Sequence, residues 1–418
     1  MKLQQRHGVP QYDLQDYRWL IGPDGARWLR RVTDDARDAS PVTLAARLRR
    51  ELSAPRTHLI LEQIELRSRA QVKFALADEM FFTRLGLEQA TDEAVARHKA
   101  ERFPQGSLRV DICCGLGGDL MALATDGPAM GVDRDRVAAL LAAENLRRLD
   151  RSAGHVVVAD ATRLALPPEA AWHVDPDRRP EGRRSTQLAW HSPDQSAVER
   201  LLKHAPQAAI KLAPAAEVPT AWQPRAELQW ISRARQCRQL VVWFDRLARA
   251  AGQHSATVLT ARSLDAMPQT RTVTGQPGRI SEVAERIERY VFDPDPAVLA
   301  AGLTGVLAKQ HQLKALAAGA VYLTGDSPID DAALDCFEVD EVLPLDKKRL
   351  RRLLADRGIG RLEIKKRGLT IDPEKLRREL RLKGDAAAVL ILARRGASAS
   401  AIIARRVEWK RGTGSEPR

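Results

Sequence analysis

Cysteine is scarce in this chain: there are four in 418 residues, and two of them are adjacent, Cys113 and Cys114. Neighbouring cysteines do not readily bridge, and no spacing suits a zinc site, so neither a disulfide scaffold nor a metal is expected. A reduced, cytoplasmic protein follows as the expectation. Long apolar runs are lacking as well. No window approaches a membrane span, and residues 1–6 offer no apolar core for a signal peptide, so no membrane partner is expected. Hydrophobic residues still make up 44% of the chain, enough for packed cores in two or three domains.

Positive charge is plentiful but unevenly placed. The net charge is +13. Residues 346–418 hold 22 Lys and Arg against 9 Asp and Glu, while the rest of the chain is balanced at 45 against 45. A basic segment of this kind suits a nucleic-acid surface; a solvated, soluble face is the alternative.

The sequence is organised around residues 110–119, Val-Asp-Ile-Cys-Cys-Gly-Leu-Gly-Gly-Asp. Alternating apolar residues lead into a glycine turn, and a helical run follows. Strand, glycine turn, helix is the entry unit of a nucleotide-binding α/β domain. A second short strand, 129–133, ends in Asp133, 15 residues after Gly118. A carboxylate at that strand tip can accept both ribose hydroxyls of an adenosine. A third strand runs to Asp160. Two ligand classes share this geometry. Dinucleotides need room for a pyrophosphate, which Asp111 and Asp119 on either side of the loop would repel. S-adenosylmethionine has an ammonium, a sulfonium and no phosphate, and Asp111 could hold the ammonium.

The 110–119 stretch resembles motif I of the class I S-adenosylmethionine-dependent methyltransferases, and Val132-Asp133 resembles their motif II. The resemblance implies a cofactor set of Asp111, Gly115, Gly117, Gly118, Asp133, Arg134, Asp160 and Ala161. Asp160 would accept the adenine amino group, and the Ala161 amide would meet a ring nitrogen. Upstream, Thr91-x-Glu93-x-x-Ala96 together with 114–118 resembles trimethylguanosine synthases, a likeness that covers residues 87–180 with gaps. Either Thr91 or Asp92 caps the helix there, or the segment covers the cofactor.

The fourth strand ends in Asp175-Pro176-Asp177-Arg178-Arg179. Ligands bind at the carboxyl ends of strands in such sheets, which puts Asp175, Pro176 and Asp177 at the reacting position. Methyltransferases of exocyclic amines carry Asn/Asp-Pro-Pro-aromatic there; this chain has Asp177 for the second proline and Arg178 for the aromatic. Arg178 and Arg179 can still stack on a base or hold a phosphate. Lys211 on strand five either reaches the pocket or snorkels to solvent. Asn145 falls near the end of a helix, and Cys113 and Cys114 sit on the cofactor side, away from any nucleophilic role.

Strands at 208–214, 227–230, 240–244 and 256–259 complete a seven-stranded sheet. The tail, 346–418, resembles the THUMP-like domain of some bacterial methyltransferases, around Lys365-Lys366-Arg367-Gly368 and the Asp372-Pro373-Glu374 helix start. True THUMP domains bind RNA, so Lys365, Lys366 and Arg367 are expected to touch it. The expected fold is α/β: a Rossmann-like class I methyltransferase sheet with an N-terminal helical domain and a C-terminal α+β THUMP-like domain. The expected boundaries are 1–100 (helical), 101–285 (S-adenosylmethionine-binding), 286–345 (linker, with 279–291 connecting) and 346–418 (basic, THUMP-like). Direct methyl transfer to RNA is the expected activity. A protein or small-molecule methyltransferase, and a non-catalytic cofactor-sensing RNA-binding protein, stand as alternatives.

Overall fold

The computed structural model describes residues 12–35, 40–177, 188–260, 269–395 and 398–409. Two compact units divide the chain: one takes in 1–226, 241–251 and 261–268, the other 227–240, 252–260 and 269–418.

The first unit opens with six helices: α1 (Leu14–Ile21), α2 (Pro23–Asp35), α3 (Pro41–Leu48), α4 (Ala54–Ala70), α5 (Arg84–Gln89) and α6 (Glu93–Ala100). Short polar residues start most of them. Asp13, Ser40, Ser53, Thr83 and Asp92 each accept a backbone N–H of the first turn. Asp92, not Thr91, is therefore the cap of α6. Lys73 closes the other end of α5, donating to the Leu87, Glu88 and Ala90 carbonyls at 2.7, 3.3 and 3.0 Å.

The sheet follows: β1 (Arg109–Ile112), α7 (Gly118–Leu123), β2 (Ala129–Asp133), α8 (Arg136–Arg148), β3 (Gly154–Val158), β4 (Ala171–Val174), α9 (Gln195–His204) and β5 (Ala208–Leu212). These five strands are parallel, in the order β3-β2-β1-β4-β5. Strands β1 and β4 are buried along their whole length, as parallel strands covered on both faces must be. The chain order reverses between β1 and β4, so the carboxyl ends of those strands are where this topology binds ligands.

Two buried amides tie the helices to this sheet. Gln63 bonds both polar groups of the Phe82 peptide, at 2.6 and 3.0 Å. Asn145 of α8 does the same for Phe81, at 2.8 and 3.2 Å, and also donates to the Leu116 carbonyl at 3.1 Å. Asn145 is thus fully buried and joins the N-terminal helices to the glycine loop, a role that its place near a helix end does not reveal.

Four strands come next along the chain, β6 (Ala226–Arg233), β7 (Gln236–Phe244), β8 (His254–Thr260) and β9 (Gln269–Gly275), where the sequence indicated three. Within the second unit β8 lies parallel to β6 and antiparallel to β9. The remainder is β10 (Tyr290–Pro294), α10 (Pro296–Ala300), α11 (Thr304–His311), β11 (Lys314–Ala315), β12 (Leu323–Gly325), β13 (Leu334–Pro344), α12 (Lys347–Asp356), β14 (Ile359–Lys366), α13 (Pro373–Leu380), β15 (Ala386–Arg395) and β16 (Ser398–Arg406). It forms a seven-stranded sheet in the order β11-β12-β10-β13-β16-β15-β14. Strand β13 carries an irregularity between Val339 and Glu341. Alternation along β15 serves two cores: Leu390 and Leu392 pack with α12 and α13, whereas Val389 and Ile391 pack with Val291, Tyr322 and Phe337.

Replacing Asn145 by Ala would strand backbone groups of Phe81 and Leu116 in the core. The expected loss of stability is roughly 2–4 kcal/mol, from about 1–3 kcal/mol per unpaired buried group, read by urea denaturation.

Candidate active site

The glycine loop is shaped by its backbone. Cys113, Gly115 and Gly117 all have positive φ, at 59°, 54° and 87°, and Gly117 in the left-handed region is the N-cap of α7. Gly118 serves packing: a Cβ there would lie 3.0 Å from the Thr91 carbonyl oxygen and 3.2 Å from its nitrogen. Beside Gly115, by contrast, a Cβ would meet nothing within 4 Å. Open space next to exposed loop backbone is the cradle that a ligand needs for close approach.

Asp133 stands at that cradle. Its Oδ2 accepts from the Gly115 N–H and its Oδ1 from the Asp135 N–H, both at 2.9 Å. Burial pushes its carboxyl up from the ordinary value despite those bonds. Asp160 follows β3 and is exposed. Its Oδ1 accepts from the Thr162 N–H and hydroxyl at 2.9 and 2.8 Å, bonds that hold the carboxyl below its ordinary value. Ala161, itself buried, starts the short turn that follows. Arg134 reaches the acceptor side instead: it donates to the Ser192 hydroxyl at 3.4 Å and lies 3.7 Å from an Asp177 oxygen. Asp177 and Ser192 exchange backbone bonds of 2.9 Å in both directions. Asp175 and Pro176 lie between β4 and that bridge; Arg178 and Arg179 lie outside the described residues.

Under the loop runs a buried network of charged and polar groups. Asp111 of β1 and His173 of β4 are register partners on adjacent strands, so their side chains are neighbours. His173 Nδ1 lies 2.7 Å from Asp111 Oδ1, and its Nε2 lies 3.1 Å from Lys99 Nζ. An ammonium only donates, so Nε2 accepts and Nδ1 carries the proton that bonds Asp111. Lys99 also pairs with Asp119 Oδ1 at 2.6 Å. Thr91 donates to Asp119 Oδ2 at 2.6 Å and accepts from Lys211 Nζ at 3.1 Å. Lys211 in turn reaches Asp175 Oδ2 at 2.5 Å.

Exposure is 1% for Asp111 and His173, 2% for Lys99 and 8% for Asp119. Burial pushes Lys99 down and Asp111 up. For Asp119 burial is the largest single influence and acts upward, but Lys99, His173 and Lys211 together outweigh it and hold the carboxyl well below its usual range. Asp111, expected at the cofactor ammonium, is engaged by His173 through one oxygen; its Oδ2 has no partner among the described residues.

The cradle fits S-adenosylmethionine. It combines open backbone at Gly115, a strand-tip acid at Asp133 and acids flanking the loop, and these suit a ligand without phosphate. Sequence reading missed Lys99 and His173. The available signal was a histidine inside the otherwise apolar strand Ala-Trp-His-Val, which calls for a buried partner. Lys211 does reach the site, and Thr91 spends its hydroxyl on Asp119.

In the second unit two of the three expected RNA contacts are engaged internally. Lys365 pairs with Asp293 at 3.0 Å and Asp335 at 3.3 Å, and Arg367 lies 3.4 Å from Asp293. Lys366 is exposed and donates to the Leu369 carbonyl at 3.4 Å. Among the described residues no group of three or more His, Cys, Asp or Glu could hold a metal, and no helix is long and apolar enough to cross a membrane.

Removing one partner from a buried ion pair leaves the other charged and unpaired. Lys99→Met should cost about 3–5 kcal/mol of stability in chemical denaturation, and adding Asp119→Leu should recover part of it.

Known proteins place this geometry. The family described as THUMP domain-like matches residues 334–406, and a family of unknown function matches 13–70. Two uncharacterized S-adenosylmethionine-dependent methyltransferases of Mycobacterium tuberculosis, from strains CDC 1551 and H37Rv, are each 31% identical over 329 residues, covering 76% of this chain and 86% of theirs. The crystal structure of a candidate methyltransferase from Porphyromonas gingivalis W83 superposes with a TM-score of 0.72 at 18% identity, covering 95% of this chain and all of that one. The fold is thus the Rossmann-like methyltransferase fold followed by a THUMP-like domain. With relatives of that identity and coverage, and a loop shaped for their cofactor, the chain belongs to the S-adenosylmethionine-dependent methyltransferases.

Proposed function

We propose that this methyltransferase acts on RNA, gripping it through the outer faces of α12 and α13. The observation that carries the reading is a set of exposed cations on those two helices. Leu350 and Leu354 of α12 and Leu376 and Leu380 of α13 are buried in one core against β14, β15 and β16. Both helices therefore lie on the same face of the sheet with their polar sides outward. Lys348, Arg349, Arg351, Lys375 and Arg378 are exposed there, and none has a carboxylate within ion-pairing distance among the described residues. Neighbouring cations are spent locally, as Lys347 is on Glu379 at 2.6 Å. Clustered, unpaired cations in a THUMP-like domain suit a phosphate backbone.

Bound S-adenosylmethionine supplies a methyl group on a positively charged sulfur. In this reading Asp133 holds the ribose hydroxyls of the cofactor, and Asp160 with the Ala161 amide meets the adenine. Asp175, Pro176 and Asp177 form the acceptor side at the end of β4. Catalysis is then largely alignment, with the acceptor held in line with the methyl group.

Two outcomes test the reading. Asp133→Ala should weaken cofactor binding by about 1–3 kcal/mol in calorimetry, the scale of a lost buried hydrogen bond; unchanged affinity in a folded variant would remove Asp133 from the cofactor set. Replacing Lys348, Arg349, Arg351, Lys375 and Arg378 by Gln should weaken RNA binding and flatten its log–log salt slope by roughly 0.7–0.9 for each phosphate no longer neutralised. Cofactor affinity should stay the same. A wild-type salt slope in that variant would favour a protein or small-molecule acceptor.

A further inference from the structure

Lys211 sits where the acceptor must come. Its ammonium is 2.5 Å from Asp175 Oδ2, 3.1 Å from Thr91 Oγ1 and 3.4 Å from the Gln89 carbonyl. Each of these is an acceptor. Thr91 has already given its proton to Asp119, so it offers Lys211 only a lone pair. With acceptors on these three sides, Lys211 sets a donor group directly beside the Asp175 carboxylate.

That pairing discriminates between acceptor atoms. A neutral amine gains positive charge as it attacks a methyl group, and an ammonium alongside opposes it. A hydroxyl that surrenders its proton gains negative charge, and the same ammonium favours it. Residues 175–179 also depart from the pattern of amine methyltransferases, with Asp177 for its second proline and Arg178 for its aromatic.

We propose that the acceptor is a hydroxyl oxygen prepared by Lys211 and Asp175 as a pair and, resting on the RNA reading above, that it is a ribose 2′-hydroxyl, the free hydroxyl an internal nucleotide carries. The acceptor O–H gives its proton to the Asp175 carboxylate while Lys211 stabilises the charge growing on oxygen. The O–C bond forms as the C–S bond breaks, its electron pair remaining on sulfur. Asp175 then passes the proton to water. Thr91 is a positioning residue, since it anchors Lys211 to the buried Asp119–Lys99 pair.

The test uses the full-length enzyme, radiolabelled S-adenosylmethionine, and RNA, protein and small-molecule fractions from cells lacking the protein. Labelled RNA should digest to a 2′-O-methyl nucleoside, with the adjacent linkage resistant to alkali. Lys211→Met should transfer roughly 10²–10³-fold more slowly, the scale for one preorganised charged donor, with calorimetric cofactor affinity unchanged. Lys211→Arg should restore part of the rate. Thr91→Val should lower kcat without altering cofactor affinity, and Thr91→Ser should recover it. Label on a base nitrogen or carbon overturns this inference and leaves the RNA reading standing. Label confined to another fraction overturns the RNA reading, and there a methyl on nitrogen, carbon or sulfur overturns the hydroxyl as well. No label in any fraction overturns both. The acceptor atom is read from the wild-type enzyme, so its identification does not depend on any variant folding.

Discussion

The buried pair between Lys99 and Asp119 is the interaction on which the active-site side of the first unit depends. Asp111 and Asp119 are both taken out of water beneath the glycine loop, at a cost that would be prohibitive if they stood alone. Lys99 answers Asp119 directly and Asp111 through His173. The pair in turn fixes Thr91, Thr91 fixes Lys211, and Lys211 fixes Asp175. Helix α6, ahead of the sheet in sequence, thereby sets the geometry of the tips of β4 and β5. The N-terminal helices thus help to position the strand tips as much as the sheet does.

What was legible in the sequence was local. A glycine loop between strand and helix, an acid ending the next strand and a proline-flanked acid ending the fourth all announce themselves within a few residues. The methyltransferase fold and its cofactor follow from them. What was not legible joined distant segments. Lys99 and His173 are 74 residues apart and look unremarkable singly, one on a short helix and the other in an apolar strand. Asn145 looked like a polar residue near a helix end, and only its three buried bonds to Phe81 and Leu116 show otherwise. Thr91 and Asp92 were indistinguishable as caps until geometry gave Asp92 the backbone and Thr91 the network.

The basic tail teaches the same lesson about charge. Counting residues put the entire surplus after residue 345, and that count is correct. It does not say which charges remain available. Lys365 is matched to Asp293 and Asp335, 72 and 30 residues earlier in the chain, and Arg367 also leans on Asp293, so two of that run of three cations face carboxylates. Leucines on one side of α12 and α13 force their lysines and arginines to the other.

The contact between Gly118 and Thr91 also constrains how this enzyme can change over time. A single methyl group at position 118 would press on the Thr91 backbone, and Thr91 is the anchor of Lys211. The glycine loop and Lys211 are therefore mechanically linked through Thr91. A substitution that adds bulk at position 118 therefore acts at a distance, shifting the Thr91 backbone and with it the setting of Lys211 and Asp175.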